Sequence, residues 1–453
     1  VKTTVAIVGG GWAGMAAAVA AADAGNDVTV LEATRQLGGR ARAMSATRPD
    51  GVALQLDNGQ HILIGAYSQS LALMRRVGLD LPKVLAALPL ALPYPDGLGL
   101  QTPSWATRLP APLDALVAIA TARGWTWGER LALVRASLAW QRSGFACAPS
   151  LTVSGLCSRL PQRVMDELVE PLCVSALNLP ASQASAEIFL RVMRDALFGA
   201  RAGPWSASSL LLPRLDLSAL FPDAAARWLA TTYPASGRVF IGARVTTLAP
   251  MVSGWRLMGQ RDGEAFDRTF DAVIWATGAA AASRAMQDAS DRSPEATACA
   301  LRTWATTAAA LEFSAITTVY AWGPGVRLTQ AMLALRSQAG APAQFVFDRG
   351  QLNPADPSAQ GVLAFVISAS SGEREALERS VLQQARDQLG LQQLQAIQTV
   401  VEKRAAFACT PGLQRPEAEI APSLWAAGDY VAGPYPATLE GAVRSGLDAV
   451  TRL

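Results

Sequence analysis

Apolar residues recur along this chain with two periods, and the places where the period changes outline its elements. Val5 to Val8 is a short β-branched and apolar run without polar alternation, which predicts a fully buried parallel strand. An Ala-rich stretch follows as a helix, and Asn26 to Leu31 reads as a second strand. Val52 to Tyr67 runs VALQLDNGQHILIGAY. Its alternation, then Asp57-Asn58-Gly59, then an apolar run predict a strand, a tight turn and a second strand. From Leu79 to about Pro149 an apolar stretch is broken by prolines such as Pro82, Pro89, Pro93 and Pro103 before helices take over. Leu151 to Phe198 carries Met165, Leu168 and Leu172 at helical spacing.

Further along, Gly237 to Leu257 holds strand-like pieces with a turn at Ser253-Gly254, and Asp271 to Gly278 (DAVIWATG) predicts another buried strand. The longest charge-poor run, Trp304 to Val326, is rich in Thr and Val and reads as buried strand. Ala315 to Trp322, Gln344 to Phe347 and Val362 to Ser368 suit an antiparallel sheet in a second domain. Asp348 and Arg349 interrupt that pattern and read as an ion pair ending a strand. Glu373 to Leu389 is an amphipathic helix with a solvated face, and LWAAGD, Leu424 to Asp429, is a last strand before a helix that starts near Thr438.

The chemistry gathers at the first strand–helix junction. Gly9, Gly11 and Gly14 form G-x-G-x-x-G there. The first allows a tight turn, the second lets a pyrophosphate approach the backbone, and the third lets helix and strand pack closely. The first helical turn, Ala13 included, offers unpaired N–H groups and the positive end of the helix dipole to phosphate. Glu32, with Ala33 beside it, ends the second strand where a carboxylate accepts ribose hydroxyls and rejects a 2′-phosphate, which argues against NADP. Gly38, Gly39 and Arg40 can wrap the other side of the same pyrophosphate.

The pattern Glu32-Ala33…Gly38-Gly39-Arg40 resembles the FAD-binding signature of flavin amine oxidases and phytoene-desaturase-like enzymes, and the resemblance implies FAD. One departure is Thr34, where many amine oxidases carry an Arg. LDNGQHILIGAY, PLCVSALNLPASQASAEIFLRVMRDAL, LLLPRLDLSALFP, QFVFDRG and LWAAGDYVAGPYPATLEGAVRSG together are similar, nearly end to end, to the hydroxysqualene dehydroxylases, also described as squalene-associated FAD-dependent desaturases. This resemblance implies an α/β protein. It implies a Rossmann-like FAD-binding domain assembled from discontinuous segments, 1–80, 205–290 and 405–453, and a mixed α+β substrate domain with a helical cap from 81–204 and 291–404. It places Gly59, Gln60 and His61 against the flavin, brings the Val245 backbone to the adenine, and sets Gly428 and Asp429 at the ribityl or phosphate region. The helix start at Thr438 and Leu439 then faces the flavin N1–C2 edge, where a reduced flavin is negative.

The implied activity is reductive removal of the allylic hydroxyl of hydroxysqualene to give squalene, in hopanoid synthesis. Departure of the hydroxyl leaves a delocalised cation that a hydride from the reduced flavin quenches. His61, the single histidine, is the candidate acid, with Asp57, Tyr67 or a water as alternatives. Oxidative isoprenoid or carotenoid desaturation is the alternative reaction, and a carrier role for an FAD-binding protein is a third reading. Amine oxidases often place a Lys in the substrate-domain sheet. This chain has only Lys2, Lys83 and Lys403, which weakens that reading.

Composition changes the picture in a few respects. At 453 residues the prior is two interleaved domains, and 51% hydrophobic against 17% charged residues describes a folded, somewhat greasy protein. A net charge of +3 without a basic block excludes nucleic acid as an expected partner. Cys147, Cys157, Cys173, Cys299 and Cys409 form no C-x-x-C and read as thiols of a reducing compartment. With the first strand starting at Val5 there is no room for a signal peptide, and no apolar run reaches spanning length, so the expected location is cytoplasmic. Trp125, Trp127 and Trp140 alternate with Arg123, Arg130, Arg135 and Arg142. Two readings stand: an ordinary helical cap with Trp in the core, or peripheral contact with the inner face of a membrane. The expected partners are thus a long-chain isoprenoid, a membrane surface and, since only one dinucleotide fingerprint is present, an external electron donor.

Overall fold

The computed structural model describes residues 2–103, 105–106, 109, 113–199 and 204–453. Thr4–Val8 lies inside a six-stranded sheet in the order Gly237–Phe240, Asp27–Leu31, Thr4–Val8, Ala272–Trp275, Leu424–Ala426, Glu419–Ala421. All neighbours are parallel except the last pair. Val5 to Val8 are all buried, as a strand covered on both faces requires. The strands come from three separate stretches of the chain, so the nucleotide-binding unit is indeed discontinuous and Rossmann-like. The helix Trp12–Asp23 crosses over it, and its small side chains let the helix Leu439–Val450 approach. A Cβ on Gly446 would lie 2.3 Å from the Ala13 carbonyl oxygen.

A five-stranded antiparallel sheet forms the second half, in the order Met332–Ala334, Phe345–Asp348, Val362–Ser370, Phe313–Trp322, Gln395–Phe407. Met332–Ala334, Phe345–Asp348 and most of Val362–Ser370 are buried on both faces, and the period of two sorts their residues. Val346, Leu363, Phe365 and Ile367 pack against the helix Arg374–Leu389 through Leu377, Val381 and Ala385. Phe345, Phe347, Ala364 and Val366 face the other way, toward Ala118, Ala122, Trp125 and Leu133 of the cap. The cap is built on the helices Leu113–Ala120 and Trp127–Arg142.

Several expectations are corrected. The strands flanking Asp57-Asn58-Gly59 do not pair with each other: Ala53–Asp57 pairs with Ala43–Thr47, and Leu63–Ile64 with Leu210–Pro213. The intervening residues are held by the glycine loop instead of closing a hairpin. The run from Trp304 to Val326 begins as the end of the helix Glu295–Ala309 and becomes strand only at Phe313. Leu301, Trp304, Ala305 and Ala308 are buried at helical spacing there, and tertiary packing overrides the strand propensity of Thr. That helix packs on Ala279–Ser290. Trp125 is buried and its indole N–H donates to Glu167, 2.8 Å, while Trp140 packs partly into the core. Trp127 alone of the three stands in solvent, 70% exposed. Among the described residues no helix is long and apolar enough to cross a membrane.

Candidate functional site

Between the two sheets lies a cavity of about 690 Å³. Its nucleotide end is built at the carboxyl edge of the parallel strands, where ligands bind in sheets of this kind. Gly9 turns with φ +113°, and a Cβ there would lie 2.6 Å from the Ala276 carbonyl oxygen. Gly11 faces open space toward Gly39, with nothing closer than 3.9 Å to a built Cβ. Gly14 is off the cavity wall: a Cβ there would be 1.9 Å from the Gly9 carbonyl oxygen, so it serves helix–strand packing. Ala13 lies in the first helical turn, which carries no acidic residue to compete with an anion.

Glu32 and Ala33 border the same space. The Glu32 carboxylate accepts from the Gly10 N–H (2.7 Å), from the Thr34 N–H (2.7 Å) and from the Thr34 hydroxyl (2.8 Å). Thr34 therefore braces the acid, which keeps about one of its roughly four acceptor positions. Ala243 N–H donates to the Glu32 carbonyl, bringing Val245 to the wall just before a β-bulge. Gly39 and Arg40 close the opposite side. Arg40 pairs with Asp429 and donates to the Ala405 carbonyl, 3.0 Å. Although desolvation works against its charge, Asp429 holds the Arg40 pKa above the ordinary arginine value. Sequence reasoning assigned those two side chains to separate contacts; the structure joins them. Gly428 is tied by its N–H to the Ser445 hydroxyl, 2.8 Å. Thr438 caps the Leu439–Val450 helix by accepting from the Gly441 N–H, 3.0 Å, and both Thr438 and Leu439 line the cavity.

Gly59, Gln60 and His61 line the middle. Asn58 locks this segment to the glycine loop, accepting from the Arg42 N–H (3.0 Å) and donating to the Arg40 carbonyl (2.8 Å). Asp57 lies behind the wall and accepts from the Leu217 N–H, 2.7 Å, while the Tyr320 hydroxyl donates to its backbone carbonyl, 2.8 Å. Burial pushes the Asp57 carboxyl up to about 6, with Arg349 and the Leu217 N–H opposing and Asp216 adding. The expected Asp348–Arg349 ion pair does not form. Asp348 caps the turn Arg349–Leu352 through the Gln351 N–H, 3.0 Å. Arg349 instead crosses to Asp57 (3.5 Å) and donates to the Gln60 side-chain carbonyl (3.2 Å). His61 Nδ1 lies 2.9 Å from the Gly59 carbonyl. A carbonyl only accepts, so Nδ1 carries the proton and Nε2 is the nitrogen left to exchange one. Desolvation, aided by the Arg40 charge, lowers the His61 pKa, and the imidazole is neutral at pH 7.

The far end is apolar, walled by Leu90, Leu172, Met193, Ile316, Phe345 and Phe347. Ser175, Asn178, Ser208 and Ser368 also line the cavity, as does Tyr67 beside Thr438. Asn178 takes the left-handed conformation (φ 52°) at the end of the helix Glu170–Leu177 and accepts from the Ala369 N–H, 2.6 Å, fastening that helix end to the sheet. It was missed in the sequence, although Asn just ahead of Leu-Pro is a helix-stop signal. Tyr430 was missed too. Its hydroxyl is buried on the cavity wall without a partner among the described residues. No lysine lines the cavity among the described residues.

Residues 12–453 match the family of flavin containing amine oxidoreductases. The chain belongs to that family. It is 28% identical over 463 residues to the hydroxysqualene dehydroxylase of Rhodopseudomonas palustris, covering 98% of this chain and 96% of that protein. A shorter similarity, 40% over 74 residues, joins 16% of this chain to 14% of the zeta-carotene desaturase of Synechocystis. The solved structure of an oxidoreductase from Methanosarcina mazei shares the fold at TM-score 0.72 and 15% identity, over 99% of this chain and all of that one. This family member is an FAD-dependent oxidoreductase. The open approach at Gly11, the acid-free helix start and the orphaned Tyr430 hydroxyl fit an FAD extended along the nucleotide end.

Proposed function

We propose that the protein removes the allylic hydroxyl of hydroxysqualene reductively and releases squalene, serving hopanoid synthesis, with electrons from a donor outside the chain. The observation that carries this reading is that the apolar residues Leu90, Leu172, Met193, Ile316, Phe345 and Phe347 line the same cavity as the glycine loop and His61. Similarity to the Rhodopseudomonas palustris enzyme over nearly the full length supports it, whereas the desaturase similarity is local. Bound reduced flavin would supply the hydride. The chain's residues hold the polyene, exclude water and handle one proton, so that alcohol, hydride and proton give hydrocarbon and water. Gly59, Gln60, Gly428, Asp429, Thr438 and Leu439 are the proposed flavin contacts, and Glu32, Ala33, Gly39, Arg40 and Val245 those of the adenosine and pyrophosphate. His61 Nε2 is the proposed proton donor to the leaving hydroxyl. The lowered His61 pKa makes the protonated form scarce at pH 7, and the rate should rise as pH falls.

That same neutral imidazole favours a second reading, oxidative desaturation, in which Nε2 takes a proton instead. Amine oxidation is disfavoured by the lysine-free lining. The proposed location is the cytoplasmic face of a membrane, where an isoprenoid substrate resides. Anaerobic mixing of photoreduced enzyme with hydroxysqualene tests the proposal: flavin reoxidation with stoichiometric squalene is expected. Reduction of the oxidised enzyme by an isoprenoid hydrocarbon, with no reaction of the reduced form, would establish desaturation instead.

A further inference from the structure

Two surface helices of sixteen residues each show what is unusual about the cap. Arg374–Leu389 exposes Arg374, Glu375, Arg379, Gln383, Arg386 and Asp387, a mixed polar face. Trp127–Arg142 exposes Trp127, Leu131 and Leu138 and buries only Leu133. At about 100° per residue those three fall within about 40° of one another, and Arg135 and Arg142 lie on the same side within about 80°. The neighbouring helix Leu113–Ala120 adds Leu113 and Leu116, both exposed. Exposure of this kind is large: 70% for Trp127 and 50% for Leu131. Arg123, Arg135 and Arg142 are exposed as well, the last two on the side of the helix that carries the stripe. The acids of the two helices are turned away. Asp114 is buried and accepts from Ser208, and Glu129 closes a capping box with Thr126.

We infer that the helix pair Leu113–Ala120 and Trp127–Arg142 is a docking face for an anionic phospholipid surface. The apolar stripe enters the headgroup–acyl boundary while the arginines meet lipid phosphates, an interfacial mode that needs no spanning helix. The opposite side of the pair packs through Ala118 and Leu133 into the cluster containing Phe345 and Phe347, which wall the apolar end of the cavity. A lipid-dissolved molecule is thus met on the side of the cap opposite the core cluster it shares with the cavity wall. The inference takes its purpose from the isoprenoid reading above and its place from the exposed residues. A second copy of this chain is the poorer occupant, because a twofold contact would set the uncompensated arginines against each other.

The holoprotein is sedimented with phosphatidylcholine vesicles, with and without phosphatidylglycerol. Binding is expected on the anionic vesicles and should weaken with salt. Trp127→Ser with Leu131→Ser, and separately Arg135→Gln with Arg142→Gln, should each lower partitioning on the order of tenfold, with flavin content unchanged. Hydrogen exchange on the unaltered protein gives an arm independent of variant folding: vesicles should protect 127–142 and leave 374–389 as before. Failure to co-sediment, equal binding by the variants, or a dimer that these substitutions dissolve would each overturn the inference. Turnover of detergent-dispersed hydroxysqualene without vesicle binding would sink the docking face alone; vesicle binding without turnover would leave it standing and sink the proposed reaction.

Discussion

Replacing Arg349 by Met tests how the two halves of the molecule meet at the cavity wall. Arg349 and Asp57 are both buried, and the guanidinium also holds Gln60. The Asp57 pKa is raised to about 6 from 3.8. For an acid with a raised folded pKa the native state binds the extra proton, so this contribution to stability falls as pH rises from about 4 to about 6 and is flat above. At about 1.4 kcal/mol per unit, the buried carboxylate costs about 3 kcal/mol at neutral pH even with Arg349 beside it. Without Arg349 the pKa climbs further, and the loss at pH 7 is limited by proton uptake to about 1.4 kcal/mol. Losing the Gln60 bond adds about 1 kcal/mol. The variant should therefore be destabilised by about 2–3 kcal/mol at pH 7 and by only about 1 kcal/mol below pH 6, less than the 3–5 kcal/mol of a broken buried pair that cannot protonate. Urea unfolding across this range measures it, and Asp57→Asn in the same background should recover most of the neutral-pH loss. A pH-independent deficit, or no recovery in the double variant, would refute the argument.

Gly11→Val should leave the fold intact, since a built Cβ meets nothing within 3.8 Å, yet block the pyrophosphate path and abolish the flavin absorbance. Full flavin occupancy in that variant would end the fingerprint reading. Gly14→Ala, with its Cβ 1.9 Å from a carbonyl oxygen, should instead destabilise the fold by about 1–3 kcal/mol or more, seen as a lower melting temperature of the apoprotein. His61→Ala should keep FAD and lose most of the single-turnover rate. In the unaltered enzyme that rate should rise as pH drops below about 6.5, the ordinary His value, because the lowered pKa delays protonation. A rate flat with pH and unchanged by the substitution would leave His61 as support for the turn.

Local order was readable without the structure. The run Val5 to Val8, the three glycines and Glu32 lie within one strand–helix–strand unit, where spacing alone dictates which backbone atoms approach a phosphate. Likewise the apolar run Val362 to Ser368 was readable as a strand, although only the two core clusters show which residues take which face. Residues 304–309, the start of the run read as strand, were misread because Thr and Ala tolerate either period, and only the helix Ala279–Ser290 beside them settles which one forms.

Pairings between distant segments were another matter. Arg349 passes over its neighbour Asp348 to reach Asp57, and Arg40 meets Asp429, because a buried charge takes whichever partner the fold brings within reach. Trp125 and Trp127 are two residues apart with the same neighbours in sequence, yet one donates to Glu167 in the core and the other stands in solvent. Sequence by itself determined the residue types, the local periods and the nucleotide fingerprint, since these follow from steric and hydrogen-bonding rules acting over a few residues. The tertiary structure alone decided which faces are covered and which charges are paired, since desolvation depends on atoms supplied by remote parts of the chain.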